Sequence, residues 1–115
     1  MIDELKRLKE KNIPVFIISG NHDPYQKDSL WFNFSFPSNV VIFDNNNLEP
    51  KVIGNIEVYG LAYTNNTKEP LKGFKAEKND RFKVGLVHGS TTNIKDDDPE
   101  FSYRPITTAQ IDSSG

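Results

Sequence analysis

The sequence contains no cysteine, which excludes a disulfide scaffold, a thiolate zinc site and a cysteine nucleophile. Long apolar runs are also missing: none exceeds the four residues of the run at residues 15–18, whereas a membrane-spanning helix needs roughly 20 apolar residues. No charged-then-apolar leader opens the chain, so we expect a cytoplasmic protein without a membrane contact. The 14 Lys and Arg against 16 Asp and Glu give a net charge of −2, so no overall basic field drives non-specific binding to nucleic acid.

What is present favours one folded α/β domain spanning residues 1–115. The 36% hydrophobic and 11% aromatic content is too high for a disordered chain, and a core of this length seldom divides into two. Apolar residues recur every three positions in residues 1–12, which predicts an amphipathic helix that Pro14 ends. Residues 15–18 follow as a buried parallel strand. Such a pair is half of a βαβ unit whose first strand is missing, so we expect the chain to begin as if cut from a longer one.

The rest of the chain alternates short apolar stretches with polar turns. Gly54 and Asn55 stand between two apolar runs, which is a two-residue hairpin signal. A last helix is predicted to open at residues 107–111. The other predicted elements are strands at residues 40–43, 51–53, 56–63 and 83–88, and a short helix near residues 70–77.

The two histidines of the chain, His22 and His88, each follow a predicted buried strand. If those strands are neighbours in one sheet, both imidazoles project from the same edge, where open α/β sheets place their ligands. Histidine exchanges a proton near neutral pH and binds divalent metals. Considered alone, His88 is more simply interpreted as a structural residue. Its combination with the loop that contains Asn21 and His22 favours a role as a metal ligand instead.

The first loop, Gly20-Asn21-His22-Asp23, has a chemical logic. Glycine permits a sharp turn at the strand end, and the Asn21 carboxamide oxygen is a neutral hard ligand for a divalent ion. His22 would donate a proton to a leaving oxygen, and Asp23 would hold its imidazole in one tautomer. The bland alternative is a Gly-Asn turn whose His and Asp are simply solvated.

These motifs resemble the calcineurin-like metallophosphoesterases. The residues that carry the resemblance are the Gly20–Asp23 loop and the run Val84-Gly85-Leu86-Val87-His88-Gly89-Ser90. The acidic, aromatic and proline-containing stretch at residues 96–105 and the last ten residues are similar in layout to the DNA-repair exonuclease branch, the double-strand-break nucleases. The resemblance implies a sandwich of two packed sheets flanked by helices, of which this chain would be the central part, truncated at both ends.

The same resemblance implies a two-metal phosphodiesterase, most closely a DNA exonuclease. Asn21 and His88 would be ligands of the second of two divalent ions, usually manganese, and a metal-bound hydroxide would attack phosphorus. His22 would protonate the departing oxygen or stabilise its charge, with Asp23 orienting it. The implied partners are DNA or another phosphodiester and an ATPase subunit.

The family pattern also contains Asp-x-His and Gly-Asp motifs upstream and a Gly-His-x-His motif downstream, and none of them occurs in these 115 residues. The carboxylate that bridges the metals is therefore missing. We expect the chain to bind manganese weakly, not to turn over, and to self-associate through exposed sheet edges. Two alternatives stay open: a phosphoesterase acting on small nucleotides or phosphoproteins, and a non-catalytic truncated binding protein.

Three other features read more simply as ordinary structure. Asp96, Asp97 and Asp98 point in different directions as consecutive residues and are expected to be a solvated loop rather than a metal cluster. Phe32, Phe34 and their neighbours Trp31 and Phe36 could stack on nucleobases, but their alternation with polar residues favours a half-buried strand. One basic concentration could follow a nucleic-acid backbone or be a solvated face. It comprises Lys68, Lys72, Lys75, Lys78, Arg81 and Lys83.

Overall fold

The computed structural model of the chain describes residues 1–64, 69–91 and 104–115. Helix α1 covers Ile2–Glu10, close to the predicted bounds, and buries Leu5 while its charged residues face outward. The chain leaves the helix through Asn12, whose φ of +55° lies in the left-handed region that ends helices. The Asn39 side chain then holds the exit by donating to the Ile13 carbonyl at 2.9 Å. Asn39 thereby ties the end of helix α1 to the strand that begins at residue 40.

A first sheet contains two parallel strands, β1 (Val15–Ile17) and β2 (Val40–Ile42), with Val15 opposite Val40. The sequence predicted both strands and the parallel arrangement of β1. Between them lies helix α2 (Leu30–Asn33), a single turn. All six strand residues are half-buried rather than fully buried, because the described residues add no further strand to this sheet.

A second sheet has the order β3-β4-β5. Strands β3 (Glu49–Ile53) and β4 (Ile56–Gly60) form the predicted antiparallel hairpin, and Gly54 in its turn has a φ of +54°, which glycine adopts without strain. Strand β5 (Phe82–Leu86) pairs in parallel with β4. Strands β1 and β5 are therefore in different sheets, so the expectation that they might be neighbours is wrong.

The two sheets meet along a seam at the ends of their strands. The Phe43 amide donates to the Ile17 carbonyl at 3.0 Å, and its fully buried ring lies directly over Gly60. Beyond β4, the Leu61 amide donates to Leu86 and the Ala62 amide donates to the Asn45 carbonyl. These contacts bring the ends of β1, β2, β4 and β5 to one edge despite the separate sheets.

The last described elements form a short parallel pair and a helix. Strand β6 (Ser90–Thr91) pairs with β7 (Pro105–Ile106), and helix α3 (Thr108–Ser114) follows. Thr107 caps α3: its hydroxyl accepts from the Gln110 amide, and the Gln110 side chain accepts from the Thr107 amide. The prediction of a last helix near residue 107 is thus confirmed. The Asp96–Asp98 run lies outside the described residues.

Three local predictions are wrong. The aromatic stretch contains α2 instead of a strand, and Phe32 and Phe34 are 57% and 53% exposed, so they are not core residues. Residues 70–77 contain turns but no helix. Strand β5 is not buried, because Phe82 is 72% exposed and Val84 is also exposed. Self-association stays a prediction, and this apolar face of β5 is where it would occur.

The α/β class is confirmed, because the described residues contain helices together with several small sheets. Within the same residues, no helix is long and apolar enough to cross a membrane.

Candidate metal and phosphoester site

The Gly20–Asp23 loop leaves β1 at the seam. Ser19 is fully buried there and joins the loop to the chain beyond β4, because its hydroxyl accepts from the Tyr63 amide at 2.8 Å and lies 3.3 Å from the Tyr63 carbonyl. The backbone at Gly20 lies close to its neighbours, and its φ is not unusual. A β-carbon at this position would lie 3.2 Å from Asp23 Oδ1 and 3.3 Å from the His88 ring.

Asp23 closes the loop on itself. Its Oδ1 accepts from the Gly20 amide at 2.9 Å, and its backbone carbonyl accepts from the Trp31 indole at 2.7 Å. The contacts of the described residues include no hydrogen bond between the Asp23 and His22 side chains. His22 itself is exposed to solvent. The proposed roles of His22 and Asp23 therefore stay predictions, and what the geometry adds is a loop whose shape Asp23 and Trp31 fix.

Asn21 and His88 are 67 positions apart in the sequence and meet at this edge, with Asn21 Oδ1 3.0 Å from His88 Nε2. Without a metal, this contact is a hydrogen bond in which the Nε2–H tautomer donates. The same spacing suits a metal, because two ligands about 2.1 Å from one ion in adjacent octahedral positions lie about 3.0 Å apart. An amide oxygen and an imidazole nitrogen are both groups that bind divalent metals in proteins. These two residues therefore fit a shared divalent ion.

Asn21 and His88 alone could not complete the coordination shell of a divalent ion. Across residues 1–64, 69–91 and 104–115, no group of three or more His, Cys, Asp or Glu side chains is placed to hold a metal ion. An octahedral ion bound to Asn21 and His88 alone would take its remaining ligands from water or substrate. The weak manganese binding expected from the sequence stays a prediction.

Two residues near His88 were not identified from the sequence. The Tyr63 ring packs against the imidazole edge-on, with centroids 5.5 Å apart and planes at 82°. The Arg104 guanidinium carbon lies 3.2 Å from the centre of the Tyr63 ring. Tyr63 is the last residue of the predicted strand 56–63 and lies just beyond β4 in the structure, so its place at a strand end was a usable signal. Arg104 had none, because its place depends on long-range packing.

Three members of the basic concentration, Lys72, Arg81 and Lys83, contact neighbouring side chains. Lys72 pairs with Glu69 at 2.6 Å, an exposed contact that raises the pKa of the Lys72 ammonium. The Lys83 ammonium donates to the Asn79 side chain at 2.6 Å and to backbone carbonyls. These pairs favour a solvated face over a nucleic-acid path. Lys68 lies outside the described residues.

A buried carboxylate, Glu57, organises the segment that precedes β5. It accepts hydrogen bonds from Asn79, Tyr59 and Arg81. Burial alone would raise the pKa of the Glu57 carboxylate, but these hydrogen bonds, with the nearby Lys83 charge, outweigh burial and lower the pKa below its ordinary value. Its partners account for it as a structural group away from Asn21 and His88.

Comparison with known proteins agrees with the resemblance that the sequence motifs indicate. The family model for calcineurin-like phosphoesterases matches residues 1–112. The chain is 27% identical over 119 aligned positions to the uncharacterised metallophosphoesterase YhaO of Bacillus subtilis, an alignment covering 97% of this chain and 28% of YhaO. No solved structure matches the chain significantly.

Two archaeal relatives are DNA double-strand break repair proteins Mre11. That of Sulfolobus acidocaldarius is 35% identical over 83 residues, covering 66% of this chain and 22% of the relative. That of Sulfurisphaera tokodaii is 36% identical over 78 residues, covering 62% and 19%. The chain thus spans less than a third of the length of each curated relative.

Proposed function

Because the chain belongs to the calcineurin-like phosphoesterase family, we propose that it contributes part of a metal-dependent phosphodiesterase site, formed by Asn21, His22, Asp23 and His88. The observation that carries this proposal is the 3.0 Å approach of Asn21 Oδ1 to His88 Nε2. Two segments from different sheets converge there on a pair of good metal ligands. A solvated Gly-Asn turn would not require this convergence.

In this proposal Asn21 and His88 hold one of two divalent ions, with manganese as the proposed metal. When bound, the ions would supply positive charge that stabilises the attacking and leaving oxygens of the phosphoryl group. His88 would have to present Nε2 without a proton for this, which means a neutral imidazole whose proton is on Nδ1. Asn21 contributes a neutral oxygen that adds no negative charge beside the substrate phosphate.

His22 is the proposed proton donor. It directly follows the ligand Asn21 and is exposed at the open side of the loop, where a phosphoester can reach it. Its imidazolium would protonate the leaving oxygen, a contribution typically worth about 10²–10⁴ in rate. Asp23 would act through the loop, since its bond to the Gly20 amide sets the direction in which His22 leaves the backbone.

The proposed substrate is DNA, supported by the two relatives whose names place them in double-strand break repair. An ATPase partner subunit and a cytoplasmic location belong to the same proposal. Phosphoesters of small nucleotides or proteins are the alternative substrates. A non-catalytic binding role is the second candidate function, favoured by the lack of a three-residue His, Cys, Asp or Glu cluster in the described parts of the chain.

The test compares His22→Ala with His88→Ala in the protein expressed from its complete reading frame. Hydrolysis of single-stranded DNA, a small phosphodiester and a phosphopeptide is measured together with bound manganese. We expect His22→Ala to lower hydrolysis at least about 100-fold with metal content nearly intact. His88→Ala should lower both. Parental hydrolysis in both variants would refute the site, and a wild-type protein that hydrolyses none of the substrates would favour the binding role.

A further inference from the structure

We propose that Tyr63 and Arg104 are positioning residues that fix the His88 imidazole in the orientation from which Nε2 meets Asn21. The inference deepens the proposed function and rests on it for the metal. Its geometric part concerns the chain's own residues alone. Neither residue is proposed to touch substrate, since Tyr63 is 4% exposed and Arg104 is 7% exposed.

Tyr63 is well placed to restrain His88, because hydrogen bonds hold the Tyr63 backbone on two sides. The Ser19 hydroxyl lies 2.8 Å from the Tyr63 amide, and the Tyr25 amide donates to the Tyr63 carbonyl at 2.8 Å. The Tyr63 backbone is therefore anchored to both ends of the loop that carries Asn21. Since the same ring contacts His88 edge-on, the two proposed ligands share one anchor.

The imidazole has little freedom to rotate within this frame. Its Nδ1 and Cε1 atoms face Gly20, where even a β-carbon would lie only 3.3 Å away. Its Nε2 meets Asn21, and its ring contacts Tyr63. A rotation about the side-chain torsions would therefore break the hydrogen bond or press the ring into one of its neighbours.

Arg104 holds the Tyr63 ring by its face. A buried cation is costly unless it is paired, and among the described residues no carboxylate forms an ion pair with Arg104. Its interaction is with the ring, 3.2 Å from the guanidinium carbon. Arg104 also has a φ of +52°, in the left-handed region that glycine prefers. Arg104 thus combines a left-handed backbone with a buried guanidinium that lies on the Tyr63 ring, and a positioning role accounts for both.

The experiment uses NMR on the 115-residue chain, whose two histidines give only two imidazole spin systems. In the wild type, His88 should be the Nε2–H tautomer. Tyr63→Leu and Arg104→Gly should shift the His88 ring resonances and mix its tautomers, whereas Tyr63→Phe, which keeps the ring, should preserve them. Tyr59→Leu is the matched control, because Tyr59 is an equally buried tyrosine whose ring packs on Phe74.

Arg104→Gly separates positioning from simple stability. Glycine relieves the left-handed backbone, so the loss of the ring contact should leave the melting temperature nearly unchanged while the His88 resonances move. A merely structural arginine would give the reverse pattern. An unchanged His88 spectrum in Arg104→Gly or in a folded Tyr63→Leu would overturn the inference, as would an equal change in Tyr59→Leu.

Manganese titration, followed by paramagnetic broadening of the histidine resonances, distinguishes this inference from the proposed function. Supporting groups around a ligand typically change metal affinity 10–100-fold, so we expect about 10-fold weaker binding in Tyr63→Leu and Arg104→Gly. Asn21→Ala and His88→Ala, the latter followed through His22, are the references. If neither Asn21→Ala nor His88→Ala weakens manganese binding, the metal proposal is refuted. The NMR comparison would still test whether Tyr63 and Arg104 position His88. If both weaken it and Tyr63→Leu does not, only the positioning role fails.

Discussion

Replacing Gly60 by alanine should strongly destabilise the chain, because this glycine is where β4 makes room for Phe43. A β-carbon on residue 60 would lie 2.1 Å from Phe43 Cδ2, whereas ordinary van der Waals contact begins near 3.4 Å. The ring would have to move by more than about 1 Å. It is 0% exposed, stacks on Phe16 at 6.3 Å between centroids, and its amide is bonded to Ile17, so it cannot swing into solvent.

The expected cost follows from these contacts. Overpacking a close-packed core costs about 1–3 kcal/mol, and the immobility of Phe43 places this case at the upper end. Alanine recovers about 0.4–1 kcal/mol by restricting the unfolded chain. Gly60→Ala should therefore lower the free energy of unfolding by about 2–3 kcal/mol, and the melting temperature by about 10 °C.

Urea denaturation followed by the fluorescence of Trp31, the single tryptophan, measures this change. Gly85→Ala is the control, since a β-carbon there meets nothing within 4 Å and should stabilise the chain slightly. In a double-mutant cycle, Gly60→Ala should cost nothing further once Phe43→Ala has removed the ring, giving a coupling energy of about 2–3 kcal/mol. Additive effects, or a Gly60→Ala variant as stable as Gly85→Ala, would refute the reasoning.

Two further predictions concern the site and the buried carboxylate. Gly20→Ala should push the His88 ring by a few tenths of an ångström. Manganese affinity should therefore fall about 10-fold, while the free energy of unfolding changes by less than about 1 kcal/mol. Calorimetric titration of manganese, with Gly85→Ala as the control, measures this, and equal affinities of the two variants would contradict it. The lowered pKa of Glu57 stabilises the fold above the ordinary carboxylate pKa, and this stabilisation is lost as the pH falls through the lower folded value. Melting temperatures measured on acidification below about pH 4.5 should therefore fall less steeply for Glu57→Gln than for the wild type, and parallel curves would show that Glu57 is not responsible.

Much of the fold could be predicted because its signals are local. The 3-residue spacing in α1 and the Gly54-Asn55 turn act over a few neighbouring positions. The strand prediction for the aromatic stretch is wrong. The alternation of Phe32 and Phe34 with polar residues is a local pattern, and tertiary context can outweigh such a pattern. The pairing of β5 with β4 rather than with β1 is a long-range choice that apolar content does not encode.

The approach of Asn21 to His88 could be expected from the sequence, but the residues that support it could not. Asn21 and His88 stand out by residue type and by their place after a strand, and they do meet. The path that joins them does not run through one sheet. It runs through Ser19 and Tyr63, two ordinary residues whose importance depends on a buried hydroxyl bonded to a distant backbone. Neither residue type nor spacing in the sequence marks such a contact.

Because the site lies at the seam, ligand binding would affect how firmly the two sheets are held together. Asn21 belongs to the side of the first sheet and His88 to the side of the second, so a ligand held by both would act as a clasp between the two sheets. Its binding free energy would then add to the work of separating them. Backbone amides along the seam, such as those of Phe43, Leu61 and Tyr63, would exchange with solvent more slowly when the clasp is closed, although they are not themselves ligands. Cohesion of the fold and occupancy of the site would rise and fall together.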